Sequence, residues 1–498
     1  MKSLALYIHI PFCIQKCHYC DFLSFEGINR PTQESYFEAL RKEIADAAAQ
    51  LPIQSTHDYE VSSIYFGGGT PSYPDASAIE KILNQVHDYF HVRIGAEITL
   101  EVNPGTVSLE KFQDYKRMGI NRLSIGAQSM LNLDLQHLGR AHTVSQFFEA
   151  YRNARTAGFR NISVDVIMGL PGQKLPDYLN TLREIVECKP EHISSYSLTI
   201  EKGTPFYEIY GEGKEPVPDN IIGLTGLPLP DDEEECKMYD ETGHFLRTAG
   251  YHRYEISNYA KNDDGRPDKY ESRHNLVYWT RGDYLGLGLG ASSMLENTRF
   301  SNTSDFSEYV QAKGDTKKLR RDINHLDLNA QVEEFMFLGL RMMKGVSVQR
   351  FEEVFGKPIT EVYGPMIEAL VDQGVLTMQN GYVMLTTRGI DVSNVVMSNF
   401  LFERDENGRA IAGNGLIPLE EKKTDNPLNL HPKGESTDRD KEKDSDAIGT
   451  EGSETADADK GKSDTEQSGC DHSEEAVAEP VKKKRKWPES KWVHGGDL

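Results

Sequence analysis

The chain is poor in positive charge relative to negative charge. It carries 55 lysine and arginine residues against 78 aspartate and glutamate residues, which gives a formal net charge of −23. Such an acidic chain has no electrostatic basis for binding nucleic acid or an anionic membrane surface. It also lacks any run of about 18 apolar residues, the length that a transmembrane helix needs. We therefore predict no nucleic-acid partner and no stable membrane insertion.

Cysteine is scarce, with six residues in a chain of 498. Three of the six stand close together near the start, so their spacing does not suggest a framework of disulfides, and the usage is typical of a reducing compartment. A predicted strand begins at about Leu4, which leaves no room ahead of it for a signal or transit peptide. We predict a cytoplasmic protein. The alternative is the mitochondrial matrix or a plastid, if an N-terminal targeting segment is missing from this sequence.

The three clustered cysteines are Cys13, Cys17 and Cys20, which follow the first apolar run with the spacing C-x3-C-x2-C. Thiolates suit iron–sulfur clusters and zinc. A [4Fe–4S] cluster normally takes four thiolates, and structural zinc takes four closed ligands. Three thiolates therefore leave one iron open. The loop resembles that of the radical SAM superfamily, in which S-adenosylmethionine (SAM) binds the open iron. The alternative is a zinc site completed by His18 or by a distant residue.

Short apolar runs alternate with amphipathic segments of helical period over residues 4–200. This alternation predicts an α/β fold with a parallel sheet and right-handed crossovers, and six such units suggest an incomplete (β/α)6 barrel. The predicted strands are Leu4–Ile10, Ser62–Phe66, Glu97–Val102, Arg122–Ile125, Ile162–Met168 and Ile193–Leu198. The predicted helices are Gln33–Ala49, Ala76–Phe90, Leu109–Met118, Ser145–Ala157, Pro176–Cys188 and Glu233–Ala249.

Glycines and charged residues lie at or near the carboxyl ends of the predicted strands, where barrels carry their active sites. The run Gly67-Gly68-Gly69-Thr70 would let a ligand approach the backbone closely, although an ordinary Gly-Pro turn is the alternative. Glu101 is placed to bind ribose hydroxyls or an ammonium, unless it is simply solvated. Arg140 is suited to a ligand carboxylate or to a surface ion pair. Asp165 lies in an apolar strand, which is costly unless the carboxylate is paired.

Together these motifs resemble the family of oxygen-independent coproporphyrinogen III oxidases and their HemW relatives, over roughly residues 4–400. The resemblance implies a radical SAM barrel whose [4Fe–4S] cluster is bound by the three clustered cysteines. It also implies a SAM pocket formed by Tyr7, Gly68, Gly69, Thr70, Glu101, Gln128, Arg140 and Asp165.

Two features separate the branches of this family. The oxidases have a further cysteine two residues after the third cluster cysteine, where this chain has Phe22, and HemW-type proteins have an aromatic residue there. The segment His274-Asn275-Leu276-Val277-Tyr278-Trp279 matches the HNxxYW motif of HemW proteins, which is linked to haem binding. An imidazole can ligate haem iron, and aromatic rings offer flat faces to a macrocycle. The alternative is a strand that packs against the barrel rim. Many relatives carry a cysteine just before this motif, whereas Glu271-Ser272-Arg273 precedes it here.

The resemblance implies a haem chaperone, whose haem-binding residues would be His274, Asn275, Tyr278 and Trp279. Such a protein would bind haem and deliver it to apo-haemoproteins, and would take electrons from a donor such as reduced flavodoxin or ferredoxin. The alternative is an oxygen-independent coproporphyrinogen III oxidase, an enzyme of porphyrin biosynthesis that acts through a 5′-deoxyadenosyl radical. We assign no catalytic residue and expect no coproporphyrinogen oxidase activity.

Composition and periodicity suggest four segments. Residues 1–250 form the partial barrel, and residues 251–325 extend it with the haem motif. Residues 326–402 form a small helical, winged-helix-like domain in which Glu333, Gly339, Leu340 and Arg341 resemble the family's Glu-x5-Gly-Leu-Arg segment. Residues 403–498 have the composition of a disordered acidic tail. The tail ends in a basic cluster, Lys482–Lys486, which is either a nuclear localisation signal or simply solvated.

Overall fold

The computed structural model describes residues 1–51, 59–213, 227–263, 265–413 and 415–420. Strands and helices alternate through its first half, as predicted. The elements up to residue 248 are β1 Lys2–Ile10, β2 Phe12–Cys13, β3 Phe25–Glu26, α1 Arg30–Ala49, β4 Tyr59–Gly68, α2 Ala76–Tyr89, β5 Val92–Val102, α3 Leu109–Arg117, β6 Arg122–Gln128, α4 Asn132–His137, α5 Val144–Thr156, β7 Ile162–Met168, α6 Leu175–Glu187, β8 His192–Ser197, α7 Pro205–Tyr210 and α8 Asp232–Thr248.

Six strands pair in parallel in the order β1, β4, β5, β6, β7 and β8. β8 continues into antiparallel pairing with a later strand, and among the described residues the sheet does not close on itself by hydrogen bonds. The prediction of an incomplete barrel is therefore confirmed. A seventh parallel strand, Asp283–Leu287, pairs with the free side of β1 and was not among the six that we predicted.

The hydrophobic core lies between the sheet and the outer helices, and strand alternation explains why. In β5, Ile98 and Leu100 belong to the core, whereas Glu97, Thr99 and Glu101 point to the opposite face. Successive side chains of a strand point to opposite faces of the sheet. The other barrel strands follow the same rule, so the inner face of the barrel is lined with polar side chains.

The segment that contains the haem motif adds strands to both edges of this sheet. Its elements are β9 Tyr251–Arg253, β10 Asn258–Lys261, α9 Arg273–Trp279, β11 Asp283–Leu287, β12 Ser292–Leu295, β13 Thr298–Asn302, α10 Phe306–Ala312, α11 Thr316–Leu319 and β14 Arg320–His325. The motif itself forms helix α9 and not the strand that the alternative interpretation expected. Ser272 caps this helix, because its hydroxyl accepts a hydrogen bond from the backbone N–H of Asn275 at 3.4 Å.

The C-terminal part has a hydrophobic core of its own. A hairpin turns at Asn380 and Gly381, whose φ angles of 51° and 79° are those of a tight type I′ turn. The elements are α12 Leu328–Gly339, β15 Val346–Ser347, α13 Val348–Phe355, α14 Ile359–Asp372, β16 Leu376–Gln379, β17 Tyr382–Leu385, α15 Thr387–Asp391, α16 Ser393–Ser398, β18 Glu403–Arg404 and β19 Ala410–Ile411.

Ordered structure extends past the boundary that we predicted at residue 403. β18 pairs with β19, and Leu416, which is 3 % exposed, packs into the same core as Phe402. The rest of the predicted tail, with the Lys482–Lys486 cluster, lies outside the described residues, as does most of Gly211–Asp232, which resembled a surface insertion in the sequence. Within the described ranges, no helix has both the length and the apolar character to span a bilayer.

Candidate functional site

The three clustered cysteines lie in the loop that follows β1. Cys13 is buried, and Cys17 and Cys20 are half-buried. The hydroxyl of Thr70 donates a hydrogen bond to Cys13 Sγ at 3.4 Å, and Arg140 Nη1 donates one to Cys17 Sγ at 3.7 Å. The loop is therefore held against two residues of the predicted SAM pocket.

The protein environment keeps the thiols of Cys13 and Cys20 protonated in the absence of a metal. Burial raises the pKa of Cys13, and burial together with the nearby Cys17 raises the pKa of Cys20 to about 12. An iron ion that displaces the protons would supply the positive charge that a buried thiolate lacks. Within the described residues, no three His, Cys, Asp or Glu side chains are already arranged around a metal position. The case for the cluster therefore rests on the chemistry of the loop.

The glycine run at the end of β4 packs tightly against β1 and the cluster loop. Gly68 has a φ of +111°, and a Cβ atom there would lie 2.6 Å from the ring of His9. A Cβ at Gly69 would lie 3.0 Å from Cys13 Sγ. Glycine is required at both positions, because a side chain would displace either His9 or the cysteine.

Two half-buried carboxylates, Glu101 and Asp165, face the barrel interior. Glu101 Oε1 accepts a hydrogen bond from the hydroxyl of Tyr65 at 2.8 Å. Asp165 accepts hydrogen bonds from the hydroxyls of Ser124 at 3.0 Å and Ser163 at 3.2 Å. Burial raises the pKa of Glu101 to about 7, the charge of Asp165 adds to that rise, and burial also raises the pKa of Asp165. A cationic ligand would stabilise both carboxylates in their ionised form.

Arg140 lies between the cluster loop and the end of β6. Its Nη2 donates to the carbonyl oxygen of Gly126 at 3.1 Å, whereas its Nε is buried and has no hydrogen-bond partner in the described part of the chain. An unpaired buried donor next to the cluster loop suits a ligand carboxylate. Nearby, Gln128 has a φ of +65°, which is uncommon outside glycine, and its Oε1 accepts a hydrogen bond from Tyr196 at 3.2 Å.

Tyr7 is the remaining residue of the predicted SAM pocket. It is 7 % exposed, and its hydroxyl hydrogen-bonds with His9 Nδ1 at 3.1 Å. Its ring stacks on Tyr65 with centroids 6.3 Å apart. Our sequence predictions did not include Tyr65. The alternation in β4 does mark it as inward-facing, since it lies between Ser63 and Gly67 on the face of the strand opposite to the apolar one. The same period-two pattern marks several other inward-facing residues that we missed: Glu97, Arg122, Ser124, Ser163, His192 and Tyr196.

His274 of the predicted haem motif is 1 % exposed and lies against the inner face of the sheet. Its Nδ1 hydrogen-bonds with the hydroxyl of Ser63 at 2.9 Å, and its Nε2 with the hydroxyl of Tyr278 at 2.8 Å. Burial, together with the charge of Arg122, lowers the pKa of His274 to about 3. The imidazole is thus neutral and uses both nitrogens, so binding to iron would have to replace one of these hydrogen bonds.

The other residues of the motif fix helix α9 in place. The carboxylate of Glu97 accepts hydrogen bonds from the backbone N–H groups of Arg273 and His274, each at 3.2 Å, and so caps the positive end of the helix. Asn275 is half-buried and takes part in the N-terminal cap. Trp279 is 5 % exposed, and the guanidinium of Arg341 lies over its ring.

The two predicted sites adjoin each other. The rings of Tyr65 and His274 stack with centroids 5.0 Å apart and an angle of 26° between the planes. The haem motif therefore lies directly against a side chain that also contacts Tyr7 and Glu101 of the predicted SAM pocket.

Comparison with known proteins places this site in a family. Residues 7–185 match the radical SAM superfamily, and residues 326–392 match the HemN C-terminal domain. The chain is 34 % identical to heme chaperone HemW of Bacillus subtilis, over 81 % of this chain and 100 % of that protein. It is 33 % identical to heme chaperone HemW of Escherichia coli, over 81 % and 99 % respectively. This chain belongs to the HemW family.

A solved structure supports the fold. The chain superposes on coproporphyrinogen III oxidase (HemN) from Escherichia coli, a radical SAM enzyme, with a TM-score of 0.65 and 22 % sequence identity. The superposition covers 80 % of this chain and 90 % of that one. At this level of identity the match establishes a shared fold and nothing about activity.

Membership of the radical SAM superfamily implies a [4Fe–4S] cluster and SAM, and the residues present fit both. Three thiols in one loop would hold the cluster, the unpaired Nε of Arg140 suits a carboxylate, and Glu101 and Asp165 suit a cationic ligand. When bound and reduced, such a cluster supplies an electron to SAM. The predicted SAM-pocket residues, on or next to β1, β4, β5, β6 and β7, would orient that ligand.

Proposed function

We propose that this protein is a haem chaperone, which binds haem and delivers it to apo-haemoproteins. The observation that carries the proposal is full-length similarity to HemW proteins, since the match covers 100 % of the Bacillus subtilis relative. The His274-Asn275-x-x-Tyr278-Trp279 segment supports it, because the motif is present and forms a distinct helix next to the SAM pocket.

Coproporphyrinogen III oxidase activity is the second candidate, and Phe22 argues against it. The resemblance of the cluster loop implies a further cysteine at this position in the oxidases, and a phenylalanine side chain supplies no thiol. The likeness to HemN concerns the fold alone. We therefore expect no conversion of coproporphyrinogen III by this protein.

The geometry suggests how haem would engage the motif. His274 would exchange its hydrogen bond to Ser63 or Tyr278 for a bond to iron, since both ring nitrogens are already engaged. Tyr278 and Trp279 would then contribute flat apolar surface to the macrocycle. This exchange requires α9 to move away from the sheet, so haem binding would be accompanied by a local opening of the motif.

The recipients are apo-haemoproteins, and the electron donor is a small reduced protein such as flavodoxin or ferredoxin. We place the protein in the cytoplasm, where bacterial relatives of this family would meet newly made haemoproteins. The alternative compartment is the mitochondrial matrix, because a Danio rerio relative that is 31 % identical, over 76 % of this chain and 85 % of that protein, is named as mitochondrial.

Parallel assays on anaerobically reconstituted protein test the proposal. Haem binding is followed by its absorbance, and coproporphyrinogen III consumption is measured with SAM and a reductant present. We expect wild type to bind haem and to leave the porphyrinogen unchanged. His274→Ala should weaken haem binding and keep its iron–sulfur content, whereas His91→Ala, a change at an exposed histidine, should alter neither.

Two results would contradict the proposal. One is steady turnover of the porphyrinogen by wild type. The other is wild-type haem affinity in a folded variant that carries His274→Ala, Tyr278→Ala and Trp279→Ala together.

A further inference from the structure

Tyr65 contacts three side chains that belong to the predicted sites of two different ligands. Its ring stacks on Tyr7, with centroids 6.3 Å apart, and on His274, with centroids 5.0 Å apart. Its hydroxyl donates to Glu101 Oε1 at 2.8 Å. Tyr7 and Glu101 belong to the predicted SAM pocket and His274 to the predicted haem motif, so one side chain touches both sites.

The surroundings leave Tyr65 little freedom. It lies in β4, which is hydrogen-bonded on both sides, so that Tyr65 pairs with Tyr7 of β1 and with Thr99 of β5. A Cβ atom at Gly67, two residues along the same face, would lie 2.9 Å from the Tyr7 ring and 3.0 Å from the Tyr65 ring. A change at either neighbour is therefore transmitted to the phenol ring, because close-packed side chains cannot shift independently.

We propose that Tyr65 couples the two sites, so that SAM bound at Glu101 holds His274 in its docked position and thereby opposes haem binding. The inference rests on the proposed function. A cationic ligand keeps Glu101 ionised, and a hydrogen bond to a carboxylate is stronger than one to a neutral carboxyl group. The stronger bond fixes the Tyr65 ring on which His274 stacks. Haem, in contrast, requires His274 to leave Ser63 or Tyr278.

A second chain of hydrogen bonds reaches α9 from the other carboxylate. Asp165 accepts from Ser163 Oγ at 3.2 Å, and Ser163 Oγ hydrogen-bonds with His192 Nδ1 at 2.8 Å. His192 Nε2 hydrogen-bonds with the hydroxyl of Tyr254 at 2.8 Å, and that hydroxyl accepts from the backbone N–H of Ser272 at 3.2 Å. Ser272 is the N-terminal cap of α9. Both carboxylates of the SAM pocket are thus connected to the helix that carries the haem motif.

The test is a haem titration of cluster-reconstituted protein with and without saturating SAM. We expect SAM to weaken haem binding about fivefold, at the lower end of usual coupling effects, and haem to weaken SAM binding by the same factor, because coupling is reciprocal. Tyr65→Phe keeps the ring and removes the hydroxyl, so it should reduce the effect to less than about twofold. Tyr115→Phe is the matched control. It removes a buried hydroxyl that has no hydrogen-bond partner among the described residues, and should leave the fivefold effect intact.

A second measurement does not depend on haem. Amide hydrogen exchange across α9 should slow when SAM is added to wild type, and should change little in Tyr65→Phe. Equal exchange with and without SAM, or equal haem affinity in the two titrations, would overturn the coupling and leave haem binding itself unaffected. An undiminished SAM effect in Tyr65→Phe would overturn the role of Tyr65. Failure of wild type to bind haem under either condition would instead overturn the proposed function.

Discussion

The guanidinium carbon of Arg341 lies 4.3 Å from the centroid of the Trp279 ring. Arg341 also pairs with Glu255, whose side chain is fully buried, at an Nη2–Oε2 distance of 3.6 Å. The arginine comes from the Glu-x5-Gly-Leu-Arg segment and the tryptophan from the HNxxYW motif, two patterns that lie about sixty residues apart in the sequence. The C-terminal part of the chain thus packs directly against the predicted haem motif.

Replacing Arg341 with lysine should loosen α9. Lysine keeps the charge but lacks the planar face that stacks on Trp279. Loss of a desolvated cation–π contact should lower the free energy of unfolding by about 1–2 kcal/mol. The emission of Trp279 should shift to longer wavelength as the ring becomes more exposed. Arg350→Lys is the control, since its ion pair with Glu353 is exposed and such pairs contribute little. Equal stability of the two variants would refute the contact's importance.

Replacing Cys17 with alanine should abolish the iron–sulfur cluster. Two thiolates do not hold a [4Fe–4S] cluster that already lacks its fourth protein ligand, so absorbance near 400 nm (roughly where such clusters absorb) should disappear from the reconstituted protein. Cys188→Ala, at a half-buried cysteine that follows α6, should keep that absorbance. Iron and sulfide retained by Cys17→Ala would contradict the assignment, as would stoichiometric zinc in anaerobically purified wild type.

Binding of SAM should strengthen as the pH rises through about 7. The pKa of Glu101 is raised to about 7 by burial, so below that pH the carboxyl group is protonated and a cationic ligand must displace the proton. Glu101→Gln should weaken binding at pH 8 by about 1–3 kcal/mol and remove this pH dependence. Arg140→Ala and Asp165→Asn should each weaken binding by a similar amount. Calorimetric titration measures all three. Unchanged affinity in every variant would show that the pocket lies elsewhere.

Acid should destabilise the folded protein. Burial lowers the pKa of four histidines, so that unfolding below about pH 6.5 lets each take up a proton. The contribution of these histidines to the free energy of unfolding is fully present above pH 6.5 and is lost as the pH falls. The pKa values of Glu43 and Glu101 are both raised to about 7. These two residues therefore stabilise the folded protein as the pH falls from about 7 to 4.5, which opposes the effect of the histidines. The histidines are His9, His142, His192 and His274.

Because the four histidines outnumber the two carboxyl groups whose pKa values rise as far as about 7, we expect a net loss of stability of roughly 1–3 kcal/mol between pH 7 and pH 5.5. Glu43→Gln removes one opposing contribution, so its stability should fall more steeply with acid than that of wild type. Denaturant unfolding at several pH values measures both. Stability that stays constant or increases towards pH 5.5 would refute this interpretation of the buried histidines.

The periodicity of the sequence was sufficient to predict the strands and helices of the barrel. The prediction Ile162–Met168 coincides with β7, and the other five predicted strands overlap observed ones, because a strand buried under helices leaves a distinct apolar run. The predicted helices are shifted by a few residues at most, since caps and turns determine the last residue. The six-unit barrel was predictable in this way, whereas the pairing of β11 with β1 was not, because nothing local in Asp283–Leu287 specifies a partner nearly three hundred residues away.

The candidate site was predictable as a set of residues but not as an arrangement. The motifs identified Glu101 as a residue of the SAM pocket and His274 as a residue of the haem site, with no connection between them. Their connection through Tyr65 depends on strand register, which brings Tyr65 beside Tyr7, and on the docking of α9 against β4. The helical form of the motif was also missed, because seven residues are too few for a clear helical period.

Transfer of haem from the loaded protein to an apo-haemoprotein tests haem chaperone function most directly. Reconstituted wild type is loaded with haem, freed of excess, and mixed with an apo-haemoprotein whose activity returns when haem binds. We expect recovery of that activity, slower recovery from His274→Ala loaded at the same haem concentration, and no consumption of coproporphyrinogen III by the same sample. Wild type that fails to retain haem, or that converts the porphyrinogen while transferring none, would contradict haem chaperone function.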